Sequence, residues 1–476
     1  MTVNLFPSYQ QLPGTLLAIW ISGVAYVVMK GWKSRSLIYR LRKDPRGLPI
    51  PKWNPITGHL LTLAPYAFRL PTNAHQNYIL AELAKEYPQS DSAIYLDIWP
   101  FIMPILLISS PSLAIQACQK YDLEKPKSLT DFFLPFAGSS DHLFTSNGPE
   151  WKNLRSIFNP GFSANYLMTQ MDHIIEETTE YVSILREYAE GNVMFSLDEL
   201  LCDFTMDIIG AVRWHIAAGE FNPFKRFNPI KPLVQWKNGR LMDDYISKEL
   251  DKRFADRQQS SATVTRSIID LVLEEYMSRN PEANKANQMN PAFKKWATVQ
   301  IRLFLFAGHD STATSLCYTY HLLSQNPGAL QRIRAEHDEA FGTDLSTVAT
   351  QLLDHPRKIN TAGIRTGTTD AVLQDDDGNE YPTEGTAILI LHNAIHRNPK
   401  YWKDPDSFLP ERWLVGPEDP LYPVKGAWRP FEFGPRNCIG QTLVMQDMKT
   451  VLVMTLREFD ICNAYDDGMN HIRGRA

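Results

Sequence analysis

The chain has 476 residues, enough for one large domain or for two or three smaller ones, and its 44% hydrophobic content allows a large core. With 48 Lys and Arg residues against 53 Asp and Glu residues, the net charge is −5, and no basic surplus indicates a nucleic-acid partner. The 5 cysteines include no C-x-x-C pair, which argues against a disulfide framework or structural zinc and fits a reducing compartment.

The N-terminal segment is apolar. Every residue from Leu16 to Met29 is apolar or small, and a basic stretch follows it at 30–46, with no basic residue before it. A cleavable signal peptide has the opposite order, and the positive-inside rule keeps a basic flank in the cytosol. We therefore predict an N-terminal transmembrane helix, with residues 1–29 as a membrane anchor. A buried core helix is the alternative, because 14 strictly apolar residues are few for a bilayer.

Residues 30–56 are first basic and then proline-rich, and they predict a linker. Pro45, Pro49, Pro51 and Pro55 stiffen the chain and oppose helix formation. Beyond this segment the chain has no further linker, internal repeat or low-complexity tract. We therefore assign residues 57–476 to one large domain.

Helical periodicity dominates that domain, with helices predicted at 165–190, 238–256, 265–278, 291–325, 327–341 and 440–457. Strand-like runs are short and occur at 93–98, 104–109, 371–374 and 387–391. The acidic cluster at 375–379 lies between two of these runs and predicts a hairpin turn. The fold class is therefore mainly α with a minor β-sheet region.

The pattern at 291–325 predicts a helix about 50 Å long. Gly308 weakens its middle by about 1 kcal/mol relative to alanine, and Asp310, Ser311 and Thr312 follow in an apolar setting. Hydroxyl groups there can bond to backbone carbonyls and open the helical ladder. We expect a break that holds a ligand or water, and an exposed polar turn is the alternative.

The strongest pattern is the decapeptide FEFGPRNCIG, Phe431 to Gly440. Gly434 permits a turn with positive φ and close approach of the backbone to a flat ligand, and successive N–H groups in such a turn can face one anion. Cys438 stands just before an amphipathic run, where the helix dipole favours a thiolate. Arg436 offers a planar fork that suits a carboxylate.

This decapeptide resembles the haem-binding signature of cytochromes P450, F-x-x-G-x-R-x-C-x-G. All the fixed positions match: Phe431, Gly434, Arg436, Cys438 and Gly440. The resemblance covers roughly residues 45–465 and implies the cytochrome P450 fold, with haem b as cofactor and Cys438 as the axial iron ligand. Such a thiolate gives electron density to the iron and favours O–O cleavage. The resemblance also places Phe431 near the sulfur, where it tunes the potential.

A second segment is similar to the A-G-x-D/E-T sequence of the family's central helix. It begins at Ala307 and Gly308. The resemblance implies that Asp310 and Ser311 relay protons to iron-bound oxygen, with Thr312 as an alternative donor. Most family members have Thr at the position of Ser311, and Ser keeps the hydroxyl group.

Trp151 and Arg155 match the family motif W-x-x-x-R, whose spacing puts both side chains on one helical face. The resemblance implies that Arg155 and Arg436 hold the haem propionates. Four phenylalanines are candidates for the substrate pocket: Phe304, Phe306, Phe132 and Phe133.

The chain departs from the family pattern at three places. No E-x-x-R occurs within 354–366, although in the family this motif braces the arginine that Arg412 resembles. The stretch after residue 210 is short for the usual substrate-roof helix, and we expect the terminal hairpin to be missing. An Arg412 without partners would be a costly buried charge.

The resemblance implies an oxidoreductase, a monooxygenase that takes electrons from NADPH through a separate NADPH–cytochrome P450 reductase. It would insert one atom of O2 into a hydrophobic small molecule, in fungal secondary metabolite biosynthesis. The expected location is the endoplasmic reticulum membrane, single-pass, with the catalytic domain facing the cytosol. Two alternatives remain open. A non-catalytic remnant is favoured by the missing E-x-x-R, whereas a reductase-independent haem-thiolate isomerase is opposed by the retained acid–alcohol pair.

Overall fold

The structure is a computed structural model, and it describes residues 12–71, 74–87, 93–209, 230–259, 268–279, 288–342, 363–462 and 473–474. The chain forms two compact units. The first unit contains residues 1–123, 362–401 and 425–428. The second unit contains residues 124–361, 402–424 and 429–476.

Helices make up most of the described chain, which confirms the predicted fold class. The α-helices are α1 Leu12–Arg42, α2 Leu60–Arg69, α3 Gln76–Glu86, α4 Pro111–Ile115, α5 Lys127–Ala137, α6 Gly148–Phe158, α7 Ala164–Met168, α8 Met171–Glu190, α9 Leu197–Ile209, α10 Ile230–Gln259, α11 Ile268–Arg279, α12 Pro291–Gln325, α13 Pro327–Phe341, α14 His392–His396 and α15 Gln441–Leu456. A π-helix at Gln116–Lys120 and 3-10 helices at Asn159–Phe162 and Pro410–Trp413 complete the set.

The strands are β1 Ala93–Leu96, β2 Ile105–Ile108, β3 Gly363–Thr366, β4 Val372–Gln374, β5 Glu380–Pro382, β6 Ala387–Ile390, β7 Phe459–Asp460 and β8 Arg473–Gly474. The first unit holds a sheet of order β1-β2-β6-β3, in which only β2 and β6 run parallel. Both β1 and β2 are buried along their whole length. Such continuous apolar runs are what a strand covered on both faces requires.

Two strand predictions need correction. The 375–379 turn does form a hairpin, but β4 pairs with β5 and not with the later run at 387–391. That later run is β6, which belongs to the larger sheet. The expected absence of a terminal hairpin is also wrong, because β7 pairs antiparallel with β8.

The apolar N-terminal segment lies within α1, which continues without interruption through the basic residues to Arg42. Among the described residues, no helix is apolar over a length sufficient to cross a bilayer, so the predicted transmembrane helix is not found. Part of α1 projects large apolar side chains, such as Trp20 and Trp32. The later part packs within the first unit, where Ile38 is buried and Ser34 Oγ donates to Asp97 Oδ1 at 2.7 Å.

Helix α12 is central to the second unit, and its bounds match the predicted helix at both ends. Asn290 caps it, with its side chain accepting from the N–H groups of Ala292 and Phe293. Its residues 297–305 are all buried, as expected of a helix whose apolar side chains cover every face. It contributes to two core clusters, one with α6, α10 and α11 and the other with α8, α9 and α15.

Candidate functional site

The cysteine loop, Phe431–Gly440, forms a tight turn immediately before α15. Gly434 has a φ of 85°, a left-handed conformation that disfavours side chains with a Cβ. The turn closes when the Cys438 N–H donates to the Phe431 carbonyl at 2.9 Å. A Cβ added to Gly440 would lie 3.9 Å from both Cys438 Sγ and the Phe162 ring.

Cys438 is exposed as a residue, yet burial raises the pKa of its thiol above the ordinary value, while the Gly440 N–H and Arg155 act in the opposite direction. The residue is therefore accessible although much of its surroundings is protein. We expected the helix N-terminus to favour the thiolate. For the thiol by itself, the cost of placing charge in a protein interior outweighs that effect.

Two arginines, one within the cysteine loop and one on α6, each form a hydrogen bond with an asparagine. Arg155 on α6 donates from Nη1 to the Asn437 carbonyl at 2.8 Å and from Nη2 to Asn437 Oδ1 at 3.0 Å. Burial lowers the pKa of Arg155, and Cys438 raises it. Arg436 donates from Nη1 to Asn147 Oδ1 at 2.8 Å.

Trp151 completes this arrangement. The guanidinium of Arg436 lies 4.9 Å from the centroid of the Trp151 ring, within cation–π range. Its Nη2 also donates to the Ser146 carbonyl at 2.6 Å. The structure therefore brings Trp151 and Arg155 of α6 into contact with the cysteine loop at Arg436 and Asn437, although these residues come from two distant segments.

The middle of α12 presents an accessible surface in an otherwise buried helix. Ala307 is exposed and Gly308 is half-buried, although residues 301–305 immediately before them are buried. Ser311 Oγ donates to the Ala307 carbonyl at 2.7 Å. The expected break in the helix is absent from α12, which is described throughout and remains α-helical. The hydroxyl group bonds to the carbonyl without displacing the helical ladder.

The other two predicted catalytic residues lie on different faces of α12. Asp310 is exposed, and its charge contributes to raising the pKa of Cys202 on α9. Thr312 is only 2% exposed. Between Asp310 and the glycine, the His309 carbonyl accepts from Thr205 Oγ1 of α9 at 3.1 Å.

Comparison with known proteins identifies the family. The family model for Cytochrome P450 matches residues 48–355 and 359–471. The cytochrome P450 monooxygenase polC of Polytolypa hystricis is 34% identical over 486 residues, covering 93% of this chain and 86% of polC. The chain belongs to the cytochrome P450 family.

Two further matches agree. The cytochrome P450 monooxygenase acrF of Aspergillus aculeatus is 28% identical, covering 83% of this chain and 90% of acrF. The crystal structure of the cytochrome P450DA heme domain has a TM-score of 0.66 at 21% identity, covering 90% of this chain and 96% of that one. This cytochrome P450 is a haem-thiolate monooxygenase, an oxidoreductase.

The cysteine loop fits the haem of a cytochrome P450. An accessible thiol can ligate iron, and a coordinated thiol is deprotonated outright. Arg155 and Arg436 suit the two propionate groups, since guanidinium pairs with carboxylate in a planar fork. Phe162 offers an apolar ring beside Gly440.

Three of the four predicted pocket phenylalanines form one aromatic cluster. The Phe133 ring of α5 lies 5.3 Å from Phe132 and 5.7 Å from Phe306 of α12. Phe144 joins it at 4.9 Å. Because Phe306 directly precedes Ala307, this cluster borders the accessible part of α12.

Phe304 lies elsewhere. Its ring packs 4.7 Å from Phe158 and 5.4 Å from Phe162, and only 7% of the residue is exposed. Two positions along a helix differ by about 200°, so Phe304 and Phe306 lie on nearly opposite sides. Phe304 therefore packs on Phe162, the ring beside Gly440 of the cysteine loop. It does not belong to the cluster of the other three predicted phenylalanines.

Sequence reasoning missed several residues that position this site. Asn147 accepts a hydrogen bond from Arg436. Gln300 joins α12 to the segment before α6, because its side chain accepts from the Leu143 N–H at 3.2 Å and donates to the Asp141 carbonyl at 2.6 Å. Arg302 forms an ion pair with Asp243 at 3.0 Å. The only available signal was the presence of Gln300 and Arg302 within an apolar helical run.

Arg412 is not isolated. Its guanidinium donates to the carbonyls of Leu409, Lys403, Asp404 and Ser407 at 3.0 to 3.4 Å. Residues 354–362 of the interval that lacks E-x-x-R, and those expected to carry the short roof, lie outside the described part of the chain, whereas 363–366 form β3. The family match itself skips 356–358, within that first interval.

Proposed function

We propose that this cytochrome P450 inserts one oxygen atom of O2 into a hydrophobic small molecule, using electrons from NADPH supplied by a separate cytochrome P450 reductase. The observation that carries the proposal is an exposed Cys438 in a loop that matches the family signature and that also contains or contacts Arg436 and Arg155. The bound haem would supply oxygen activation. The aromatic cluster of Phe132, Phe133 and Phe306 favours an apolar substrate.

The chain's own residues have separable tasks. Cys438 would ligate the iron, and the Gly440 N–H, which faces the sulfur, would stabilise its negative charge. Arg155 and Arg436 would bind and orient the propionates. Their asparagine partners fix both guanidinium groups before the cofactor arrives.

Proton delivery would use the hydroxyl of Ser311, with Asp310 as the acid and Thr312 as an alternative donor. Ser311 Oγ donates to the Ala307 carbonyl on the accessible part of α12, which supports a role for this hydroxyl. Asp310 is exposed and can exchange protons with solvent. These roles follow the family resemblance.

We further propose a membrane-associated enzyme of the endoplasmic reticulum, with its catalytic part in the cytosol, acting in fungal secondary metabolism. The exposed apolar side chains of α1 followed by basic residues support membrane association. The fungal monooxygenases polC and acrF support the metabolic role.

The decisive experiment is the difference spectrum of the reduced protein with carbon monoxide. We expect a thiolate-type Soret band in the wild type, and its loss in Cys438→Ser. Cys462→Ser, at another exposed cysteine, is the matched control and should keep the band. A wild type without the band supports the non-catalytic remnant instead.

The isomerase alternative needs a second measurement. A monooxygenase consumes NADPH and O2 in the presence of reductase and substrate, whereas a haem-thiolate isomerase converts its substrate without either. Turnover without NADPH would contradict the proposal.

A further inference from the structure

Asn147 makes contacts on two sides just before α6. Its Oδ1 accepts from the Lys125 N–H at 2.9 Å, and its Nδ2 donates to the Lys125 carbonyl at 3.0 Å. The same Oδ1 accepts from Arg436 Nη1 at 2.8 Å. One amide thus joins the segment that leads into α5 to the arginine of the cysteine loop.

The contacts with Lys125 fix the orientation of that amide. A backbone residue offers one donor and one acceptor, so the oxygen of Asn147 must face the N–H and its nitrogen must face the carbonyl. Rotating the amide by 180° would put two donors together and two acceptors together. The oxygen that Arg436 uses is therefore set by a contact outside the cysteine loop.

Aspartate has the same shape as asparagine but lacks the donor and carries a full charge. At position 147 it would face the Lys125 carbonyl with a second acceptor. It would also form a charge-assisted pair with Arg436, which is stronger than a neutral hydrogen bond. A carboxylate there would compete with any other carboxylate for the same guanidinium.

We propose that Asn147 is a positioning residue for the haem, which holds Arg436 through a neutral oxygen so that the guanidinium pairs with a haem propionate. This inference rests on the proposed haem function. Neutrality at position 147 is its essential feature, and a role confined to the contact with Lys125 would not depend on Arg436.

The test compares haem retention in Asn147→Asp and Asn147→Ala, measured as the rate of haem transfer to excess apomyoglobin. We expect N147A to lose haem faster than the wild type, and N147D to lose it faster again by roughly tenfold. Asn153→Asp is the control, because it adds the same charge on the exposed face of α6 and should leave the rate unchanged. An N147D rate equal to or below that of N147A would overturn the inference.

Two further readouts separate positioning from damage to the fold. With Arg436→Gln, N147D should add a much smaller loss than it does in the wild-type background, because the charge competition has been removed and only the contact with Lys125 is affected. The reduction potential of the haem iron should fall in N147D and not in N153D. A full N147D effect in the R436Q background would overturn the inference.

If N147D does not fold, Asn147→Ser carries the comparison, since serine keeps a neutral oxygen and should lose haem more slowly than N147A. Equal rates would overturn the inference. A wild type without a thiolate-type carbon monoxide band would remove the proposed function together with this inference. A wild type with the band, and Asn147 variants equal to it, would remove this inference alone.

Discussion

Two loops of the second unit hold an arginine by neutral oxygen atoms, but at very different distances along the chain. In the arginine loop, Lys403–Arg412, the four carbonyl partners of Arg412 lie 3 to 9 residues away. In the cysteine loop, the partners of Arg436 lie 289 and 290 residues away. Closing a short loop costs less entropy than closing a long one, so the first arrangement can form locally. The second depends on tertiary packing of the segment before α6 against the cysteine loop.

The largest effect is expected from Arg412→Ala. It removes the donors to four carbonyls from a residue that is only 6% exposed. We expect the free energy of unfolding to fall by about 3 kcal/mol. Chemical denaturation of the second unit measures this, with Arg412→Lys losing less because it keeps the charge and three donors. A loss below about 0.5 kcal/mol would mean that the loop is braced by other contacts.

A smaller effect is expected from the backbone of each loop. Gly434→Ala forces a Cβ into a φ of 85° and should destabilise the cysteine loop by about 1–2 kcal/mol. Asp404 of the arginine loop has a φ of 47°, which aspartate tolerates better than most residues. Asp404→Gly is therefore the matched control and should change stability by less than about 1 kcal/mol. Thermal unfolding curves of both variants test the pair, and equal losses would contradict the difference.

The smallest effect is expected from Glu411→Gln, which removes the ion pair between Glu411 and Arg332 of α13 at 2.7 Å. Both side chains are largely exposed, so solvent screens the pair and stability at neutral pH should stay within measurement error. The pKa of Glu411 is lowered, by a hydrogen bond to its own backbone and then by Arg332. Any contribution is therefore present above the ordinary pKa and is lost as pH falls through the lowered one. A clear loss of stability at neutral pH would show that the arginine loop depends on α13.

The sequence predicted the long helices better than the short elements around them. Asn-Pro pairs mark both ends of α12, and an apolar run longer than any strand leaves helix as the remaining choice. The cysteine motif is local, so its spacing alone locates Cys438. The strand β3, with the sequence GIRT, is too short for periodicity to reveal and is stabilised by pairing with β6.

The role of Asn147 could not be predicted for a different reason. Its partners Lys125 and Arg436 are set by tertiary packing, and an asparagine before a glycine predicts only a turn. The prediction of a polar break in α12 was wrong, because one backbone carbonyl can accept from both a side-chain hydroxyl and the helical N–H. The continuous helix shows that Ser311 uses the second lone pair of the Ala307 oxygen.

The continuity of α1 has a mechanical consequence. Its exposed apolar part and its packed part belong to one helix without a hinge, and the packed part is anchored by the contact between Ser34 and Asp97. If the exposed apolar side chains around Trp20 bind to a surface, the continuous helix would therefore fix the tilt of the first unit relative to that surface. Inserting one residue after Met29 would rotate the two parts of α1 relative to each other by about 100° and lengthen the helix by about 1.5 Å. The rotational orientation of the first unit on such a surface therefore depends on the number of helical residues between Trp20 and Ser34.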